Sequence, residues 1–523
     1  MSSSPCSPGV RDECGGPKGV ALGQVLQAWR YDAMGQMTPA SVDDREDRPT
    51  NGYYLVLLAL LRLAVNLGVS WWGLVALSDD DYARVAIAQR FALQPRLDPT
   101  GTSWLPFPFW VSGAVMKLFD PSLEVARSTA TALSVVSAWL LFATARLWGF
   151  SRRQAFVASA AANLLPVAAV LGSVTVPELP TAALSAFGLT AAMAPRRAPR
   201  DGTASMSPVF LAGSAMLAAT LSRYEAWPVA AVVAGLAWRR RDEPRVWKRV
   251  AAVALPLIGP LWWILHNQLA HGDAFSFLRR VARYRAALGP TGADGPTRYL
   301  FALFEGSPAV TFALVVLLIL WLRADDGVSA REHLRRLLPW AWGALALVVF
   351  LLIGQLAGGA PTHHLERPLL LVWFLATFTL VDLASTRRAP LWLAVPALVL
   401  FVLDARRQLS DPGASRLSEE IAGIQLRSLV PRGERVVLAT NDYGYFAVTA
   451  ALGRPFDTII DASHDPRVQE DATLLSDHWN APARIKAEGA AWLVAPSSVV
   501  MPLALRERSR VGQLAIYELA PAP

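Results

Sequence analysis

Three consecutive carboxylates stand in the run Ser78-Asp79-Asp80-Asp81-Tyr82-Ala83-Arg84. Adjacent carboxylates repel, so one of them is expected to hold its proton more tightly than a free aspartate. A carboxylate partly withdrawn from water suits general-base work. If the run is helical, Asp80 and Arg84 stand at i and i+4 and can pair. The same run also reads as an acidic helix cap without chemistry. Glu178 follows Pro177 at the start of an apolar run, which suits a first helical turn as well as a cavity wall. Ser222-Arg223-Tyr224-Glu225 breaks two apolar runs. There Arg223 and Glu225 either satisfy each other or present a guanidinium, beside Tyr224, to a phosphate. The break at 358–368 carries His363, His364, Glu366 and Arg367. The histidines and the arginine offer donors for an anionic lipid headgroup, or the histidines form part of a metal site completed by an acid from elsewhere. Arg127, inside an apolar run, needs a partner, and Glu178 and the aspartate cluster are the candidates. His266 and Asn267 end another apolar run on the same side.

The elements that must position these groups are membrane spans. The 523 residues are 53% hydrophobic and 17% charged, with mean hydropathy +0.33. Soluble domains average about 25% charged, and here the charges are gathered between long apolar windows. That excludes a simple soluble globule, a disordered chain and a disulfide scaffold. The net charge of +8 comes from arginines in short loops, which fits topology better than nucleic acid. Cys6 and Cys14 both lie in the polar leader, and the histidines show no metal-ligand spacing.

Residues 1–50 lack an apolar core and read as a flexible cytoplasmic tail rather than a signal peptide. Apolar runs at 53–77, 123–147, 155–172, 177–194, 208–222, 226–238, 250–266, 307–323, 338–356, 367–384 and 390–404 predict about eleven transmembrane helices. Phe107–Phe119 is too short to span and suits a re-entrant or interfacial helix. Arginines at 152–153, 196–200, 239–249, 331–336 and 387–388 mark alternate loops as cytoplasmic. The loop 78–106, the other breaks and everything after about 405 are then external. Val436–Thr440, Trp492–Ala495 and Gln513–Leu519 read as strands of a small α/β domain over 406–523. Nearly every unusual polar residue of 51–405 falls on one side. That suggests a cavity at the external membrane surface, where a conducting path would want polar groups at every depth. A transporter or flippase, and a scaffold with dispensable acids, are the alternative readings.

The ordered pattern resembles the GT-C superfamily of membrane glycosyltransferases over 53–405. It is most similar to the branch of protein O-mannosyltransferases and lipid A aminoarabinose transferases. In that branch an acidic pair follows the first span, matched by Asp80-Asp81 before Tyr82-Ala83-Arg84. A tryptophan–proline stretch follows, matched by Trp104-Leu105-Pro106-Phe107-Pro108. An Arg-bearing second span is matched by Leu118 to Arg127. A second external acid is matched by Glu178, a basic residue between the fifth and sixth spans by Arg223, and a late His/Arg loop by His364-Leu365-Glu366-Arg367. The family often has Asp-Glu in the first motif, which leaves the register open among Asp79, Asp80 and Asp81.

The resemblance implies an α-helical polytopic membrane protein of a bacterial inner or plasma membrane. It implies a sugar on a polyprenyl phosphate as donor and an acceptor hydroxyl of protein, lipid or glycan. Asp80 would act as base in an inverting transfer. Arg223 with His364 or Arg367 would stabilise the leaving phosphate, and Glu178 would orient Arg127 or the acceptor. Arg84, Tyr224 and Glu225 would support them. No cofactor is required by this arrangement, and a divalent metal is compatible with it.

Overall fold

The structure is a computed structural model. It describes residues 50–520 apart from 102, 195–207, 240–245, 289–296, 324–326, 358–363, 387–392, 411–412, 414, 441, 462–473 and 475–476. The tail 1–49, the loop arginines at 196–200 and 387–388, and His363 lie outside the described residues.

Chain order begins with α1 (Asn51–Trp71), α2 (Asp79–Leu93), α3 (Phe107–Leu118) and α4 (Leu123–Trp148). The next apolar run does not form one span. Pro166 cannot donate a backbone N–H and crowds the preceding turn, so the run splits into α5 (Arg152–Leu164) and α6 (Pro166–Leu171). Arg62, fully buried on α1, fills the break. Its guanidinium donates to the carbonyls of Asn163 at 3.3 Å, Ala168 at 3.1 Å and Ala169 at 3.2 Å. A charge that would be costly inside a bilayer is held by carbonyls at the break and at the end of the short helix. Gly172 is needed beside it, because a methyl group there would collide with the Arg62 guanidinium.

Then come α7 (Glu178–Met193), α8 (Pro208–Thr220), α9 (Ala226–Arg239), α10 (Val246–His271), α11 (Ser276–Leu288), α12 (Thr297–Glu305), α13 (Pro308–Leu322), α14 (Gly327–Leu356), α15 (Leu370–Thr386) and α16 (Ala394–Ser410). Each of the eleven expected segments contains a helix. By length and apolarity five described helices qualify to cross a membrane, at Asn51–Trp71, Leu123–Trp148, Val246–His271, Arg336–Leu356 and Arg367–Ser385. A sixth arises if α12 and α13, bent by 90° at the break between them, count as one span. The count of eleven is therefore a count of apolar segments, several of them short or broken. The short apolar stretch at 107–119 forms α3, a helix of twelve residues.

The C-terminal part holds α17 (Leu417–Leu429), β1 (Arg435–Leu438), α18 (Tyr445–Leu452), β2 (Thr458–Ile460), α19 (Ala481–Ala487), β3 (Ala490–Pro496), β4 (Leu505–Val511) and β5 (Leu514–Leu519). The sheet order is β2-β1-β3-β5-β4. β1 runs parallel to β2 and β3, with Val437 opposite Leu493, and β5 is antiparallel to β3 and β4. Alternating side chains divide between its faces. Val436, Leu438, Trp492, Val494 and Ile516 pack on α17 and α18, while Val437, Leu493, Ala495 and Ala515 pack with Ile485 of α19. Three strands were legible as short β-type runs. β2 and the charged β4 were not. His464-Asp465-Pro466-Arg467 lies outside the described residues.

This α/β part does not stand apart from the helical part. Asn51–Pro523 clusters as one unit, and Ala447, Ala450 and Ala451 of α18 share a core with Tyr82, Val85 and Ala88 of α2.

Candidate active site

The run Ser78–Arg84 opens α2, and the helix start itself sorts the three carboxylates. Ser78 is the N-cap, in extended backbone. Asp81 stands three residues into the helix and reaches back, the acid half of a capping box. Its Oδ2 accepts from the backbone N–H of Leu77 at 2.9 Å and of Ser78 at 3.2 Å. Its Oδ1 accepts from the N–H of Thr175 at 2.9 Å and from Thr175 Oγ1 at 3.0 Å. Burial pushes the Asp81 carboxyl above its ordinary range, opposed by Arg367 and these donors. Asp79 is gripped on both oxygens by Arg416, from Nε at 2.8 Å and Nη2 at 2.9 Å.

Asp80 differs from both. It is half-buried, and among the described residues it has no hydrogen-bond or ion-pair partner. The expected Asp80–Arg84 ion pair does not form. Arg84 turns instead over the Trp104 ring, its guanidinium carbon 4.5 Å from the ring centroid and 5.9 Å from that of Phe109. Its buried Nε has no hydrogen-bond partner among the described residues. Burial holds its pKa below the usual arginine value, while Glu178, Asp80 and Asp81 raise it. Arg84 is thus attracted to the acids without touching them.

Arg84 also stands in the wall of a cavity of about 230 Å³. The cavity lies between α2, α3, α4, the segment 171–177 and α7. Phe107, Phe109, Leu133, Leu140 and Leu179 line it, with Ser222 as one of few polar groups.

Glu178 is 2% exposed at the start of α7. Its Oε1 accepts from Arg223 Nη1 at 2.7 Å, and Arg367 Nη1 lies 4.0 Å away. Arg223 also pairs through Nε with Glu225. Burial disfavours its charge, but Glu178 and Glu225 outweigh that and raise its pKa. Between the two sequence alternatives for Arg223, the ion pair is formed, with two carboxylates. Tyr224 packs away from that pair. Its hydroxyl donates to the Ser103 carbonyl at 2.5 Å and accepts from Trp263 Nε1 at 2.9 Å.

His364 has a left-handed backbone, φ 53°, uncommon for a residue with a side chain. Its Nδ1 lies 3.4 Å from Glu366 Oε1. Burial opposes ionisation of Glu366, but the bonds from His364 and from its own backbone hold its carboxyl below the ordinary range. Arg367 donates from Nη2 to Ser78 Oγ at 3.3 Å, which ties this loop to the N-cap of α2. His266 Nε2 lies 3.2 Å from Asp98 Oδ2. Among the described residues no three His, Cys, Asp or Glu side chains converge as a metal site would require.

Arg127 corrects the sequence reading. It reaches neither Glu178 nor the aspartate cluster. It forms a two-point pair with Glu420 of α17, Nη1 to Oε2 at 3.0 Å and Nη2 to Oε1 at 2.6 Å. Glu178 therefore cannot orient Arg127. Sequence reasoning also missed Arg416 and Glu420. They lie 337 residues from Asp79 and 293 from Arg127, and the only local sign was two acids in the first turn of α17.

No family model matches the chain, and no curated protein matches it by sequence. Solved structures do match it. ArnT from Cupriavidus metallidurans, bound to undecaprenyl phosphate, aligns at a TM-score of 0.58 and 13% identity, covering 91% of this chain and 100% of that one. The same protein in the apo state aligns at 0.52 and 14%, covering 89% and 99%. At such low identity the likeness speaks for the fold, and over nearly the whole length of both chains it does so consistently. This chain is an integral membrane protein with the GT-C fold.

Proposed function

We propose that the chain transfers a sugar from a polyprenyl phosphate to an acceptor hydroxyl at the external face of a bacterial inner or plasma membrane, inverting the anomeric carbon. One observation carries the reading. Asp80, the carboxylate of the three with no partner among the described residues, lies one helical turn from Arg84, a guanidinium in the wall of a largely apolar cavity. A base one helical turn from a cation in the wall of an apolar cavity suits a lipid phosphate that leaves as a hydroxyl attacks. The undecaprenyl phosphate bound to ArnT is a lipid of this chemical class.

In this reading Asp80 accepts the acceptor's proton on a carboxylate oxygen as that hydroxyl bonds to the anomeric carbon. The bond from that carbon to the phosphate oxygen breaks, and its electron pair leaves with the polyprenyl phosphate. Donors aimed at the developing charge lower the barrier. Arg84, with no hydrogen-bond partner on its Nε among the described residues, can aim a donor there. Arg223, held by Glu178 and Glu225, serves mainly to fix Glu178 and the break at 222–225, with Arg367 behind it. His364 and Glu366 border the same cluster. The isoprene units next to the phosphate take the apolar cavity. Domain limits follow the sequence division, with 51–405 in the membrane and 406–523 outside, and the N-terminus cytoplasmic.

The test is a transfer assay in nanodiscs with a panel of labelled polyprenyl-phosphate sugars, following release of the lipid phosphate. Release by the wild type and its loss in Asp80→Asn is the expected result. No release from any donor, in the presence of a panel of hydroxyl acceptors, overturns the reading.

A further inference from the structure

The three acids of α2 are not equally free, and the groups that occupy them come from two sources. Asp81 is held by the 173–177 segment and its own N-cap. The remaining ties run to the C-terminal α/β part. Arg416 grips Asp79 on both oxygens and donates from Nη1 to Asp442 Oδ2 at 2.6 Å, just after β1. Tyr82, 1% exposed, donates its hydroxyl to Glu420 Oε1 at 2.6 Å. Glu420 is itself fixed by Arg127 of α4. Two turns further along, Gln89 Nε2 donates to the Ala450 carbonyl at 2.7 Å. The residues tied down thus stand on both sides of Asp80 in sequence, at 79, 81 and 82.

Burial makes these ties stiff. The side chains of Arg416 and Glu420 are 18% and 11% exposed. The charge-assisted bonds on them lie in a medium where such bonds are stronger than in water. Between them is apolar packing of α18 on α2 through Ala447, Ala450 and Ala451. Arg427–Asp120 joins the same two parts of the chain but is half exposed on both sides and does not touch α2.

We propose that Arg416 and Glu420 are positioning residues. Through Asp79 and Tyr82 the C-terminal α/β part fixes the axial rotation and depth of α2, and so the aim of Asp80. This rests on the reading of Asp80 as the base. It gives the external part a role in the chemical step, separate from any role in choosing the acceptor. A group held loosely by about 1 Å can lose about 10²-fold in rate, so the aim of one carboxylate is worth such a fixture.

The test uses the full-length protein in nanodiscs. Glu420→Ala leaves the partly exposed Arg127 without its acid and opens a gap beside Tyr82, so Glu420→Gln carries the argument. It removes the carboxylate charge, so Tyr82 keeps only a neutral acceptor, and its NH₂ faces an Arg127 donor, which must turn to water. Tyr82→Phe removes only the hydroxyl, Arg416→Gln removes the grip on Asp79, and Arg427→Ala is the control at the exposed pair. The first readout is hydrogen exchange, which needs no substrate. In the first three variants the amides of 79–86 exchange about 10-fold faster or more, while those of α4 and the sheet keep their rates. The second readout is release of polyprenyl phosphate. In those variants kcat falls about 10- to 100-fold and KM for the donor stays within about 2-fold, whereas Arg427→Ala changes neither. The double variant Tyr82→Phe with Glu420→Gln is no worse than the more impaired single one, as expected of partners in one contact. Unchanged exchange at 79–86 overturns the fixture. A loss of kcat shared by Arg427→Ala refutes action through α2 and leaves general docking. A wild type that releases no lipid phosphate refutes the transferase reading, and the exchange result still decides the fixture.

Discussion

Asp80→Asn and Asp81→Asn make the same chemical change one residue apart, and the structure predicts opposite failures. Asp80 has no partner to lose among the described residues. Its amide variant should unfold at the wild-type temperature while its rate collapses. General-base removal costs about 10²- to 10⁴-fold, or about 2.7–5.4 kcal/mol on the barrier. Asp81 accepts four hydrogen bonds, three of them from backbone N–H groups. Asparagine keeps one oxygen for the Leu77 and Ser78 pair and turns its NH₂ to Thr175. The Thr175 hydroxyl can rotate to accept, but its backbone N–H cannot. One stranded donor and the loss of charge from the remaining bonds sum to about 2–4 kcal/mol of stability. Both variants are assayed in nanodiscs for release of labelled polyprenyl phosphate, with thermal unfolding followed by tryptophan fluorescence. Near-normal turnover in Asp80→Asn would refute the assignment of the base. A drop in its unfolding temperature matching that of Asp81→Asn would refute the sorting of the carboxylates on which it rests.

Arg84→Gln should raise KM for the donor about 10- to 100-fold, the size of one or two charge-assisted bonds to phosphate. Arg84→Lys should not restore it, because the stack on Trp104 requires a planar cation; recovery by lysine would argue for a bare point charge. Gly172→Ala should destabilise the protein by about 1–3 kcal/mol, since the added methyl displaces the Arg62 guanidinium from the carbonyls it serves. Thermal unfolding in detergent checks this, and no change would mean the α5–α6 break repacks freely. Glu366 is held below the 4.5 of an unperturbed glutamate. As pH falls through that range the unfolded chain takes up the proton first, so the stabilising contribution is complete above about 4.5 and is lost below it. The stability gap between wild type and Glu366→Gln should therefore close between about pH 5 and 3, and parallel curves would refute it.

The helical architecture was legible because apolar runs and loop arginines are local signals. Each expected segment does hold a helix, and the resemblance drawn from Asp80-Asp81, Glu178 and Arg223 led to the right fold. What stayed hidden was long-range. Arg127 announced that it needed a partner, but nothing nearby in sequence distinguishes Glu420 from Glu178. Arg84 was read by its helical spacing to Asp80, and the competing attraction of a ring twenty residues further on won. Pro166 was visible inside the run at 155–172, yet the length of that run argued for one span. β4 escaped because four of its seven residues are charged, as an edge strand permits and a central one would not.

That edge carries a consequence for how these molecules live together. Membrane confinement raises the frequency at which copies meet, and an open sheet edge offers each newcomer a row of unpaired backbone groups. Here one edge is β2, only three residues long, and the other is β4, with Arg506, Glu507, Arg508 and Arg510 along it. A second copy adding a strand there would have to bring its own charges into register and desolvate them. Short on one side and charged on the other, the sheet is a poor template for a neighbour's strand.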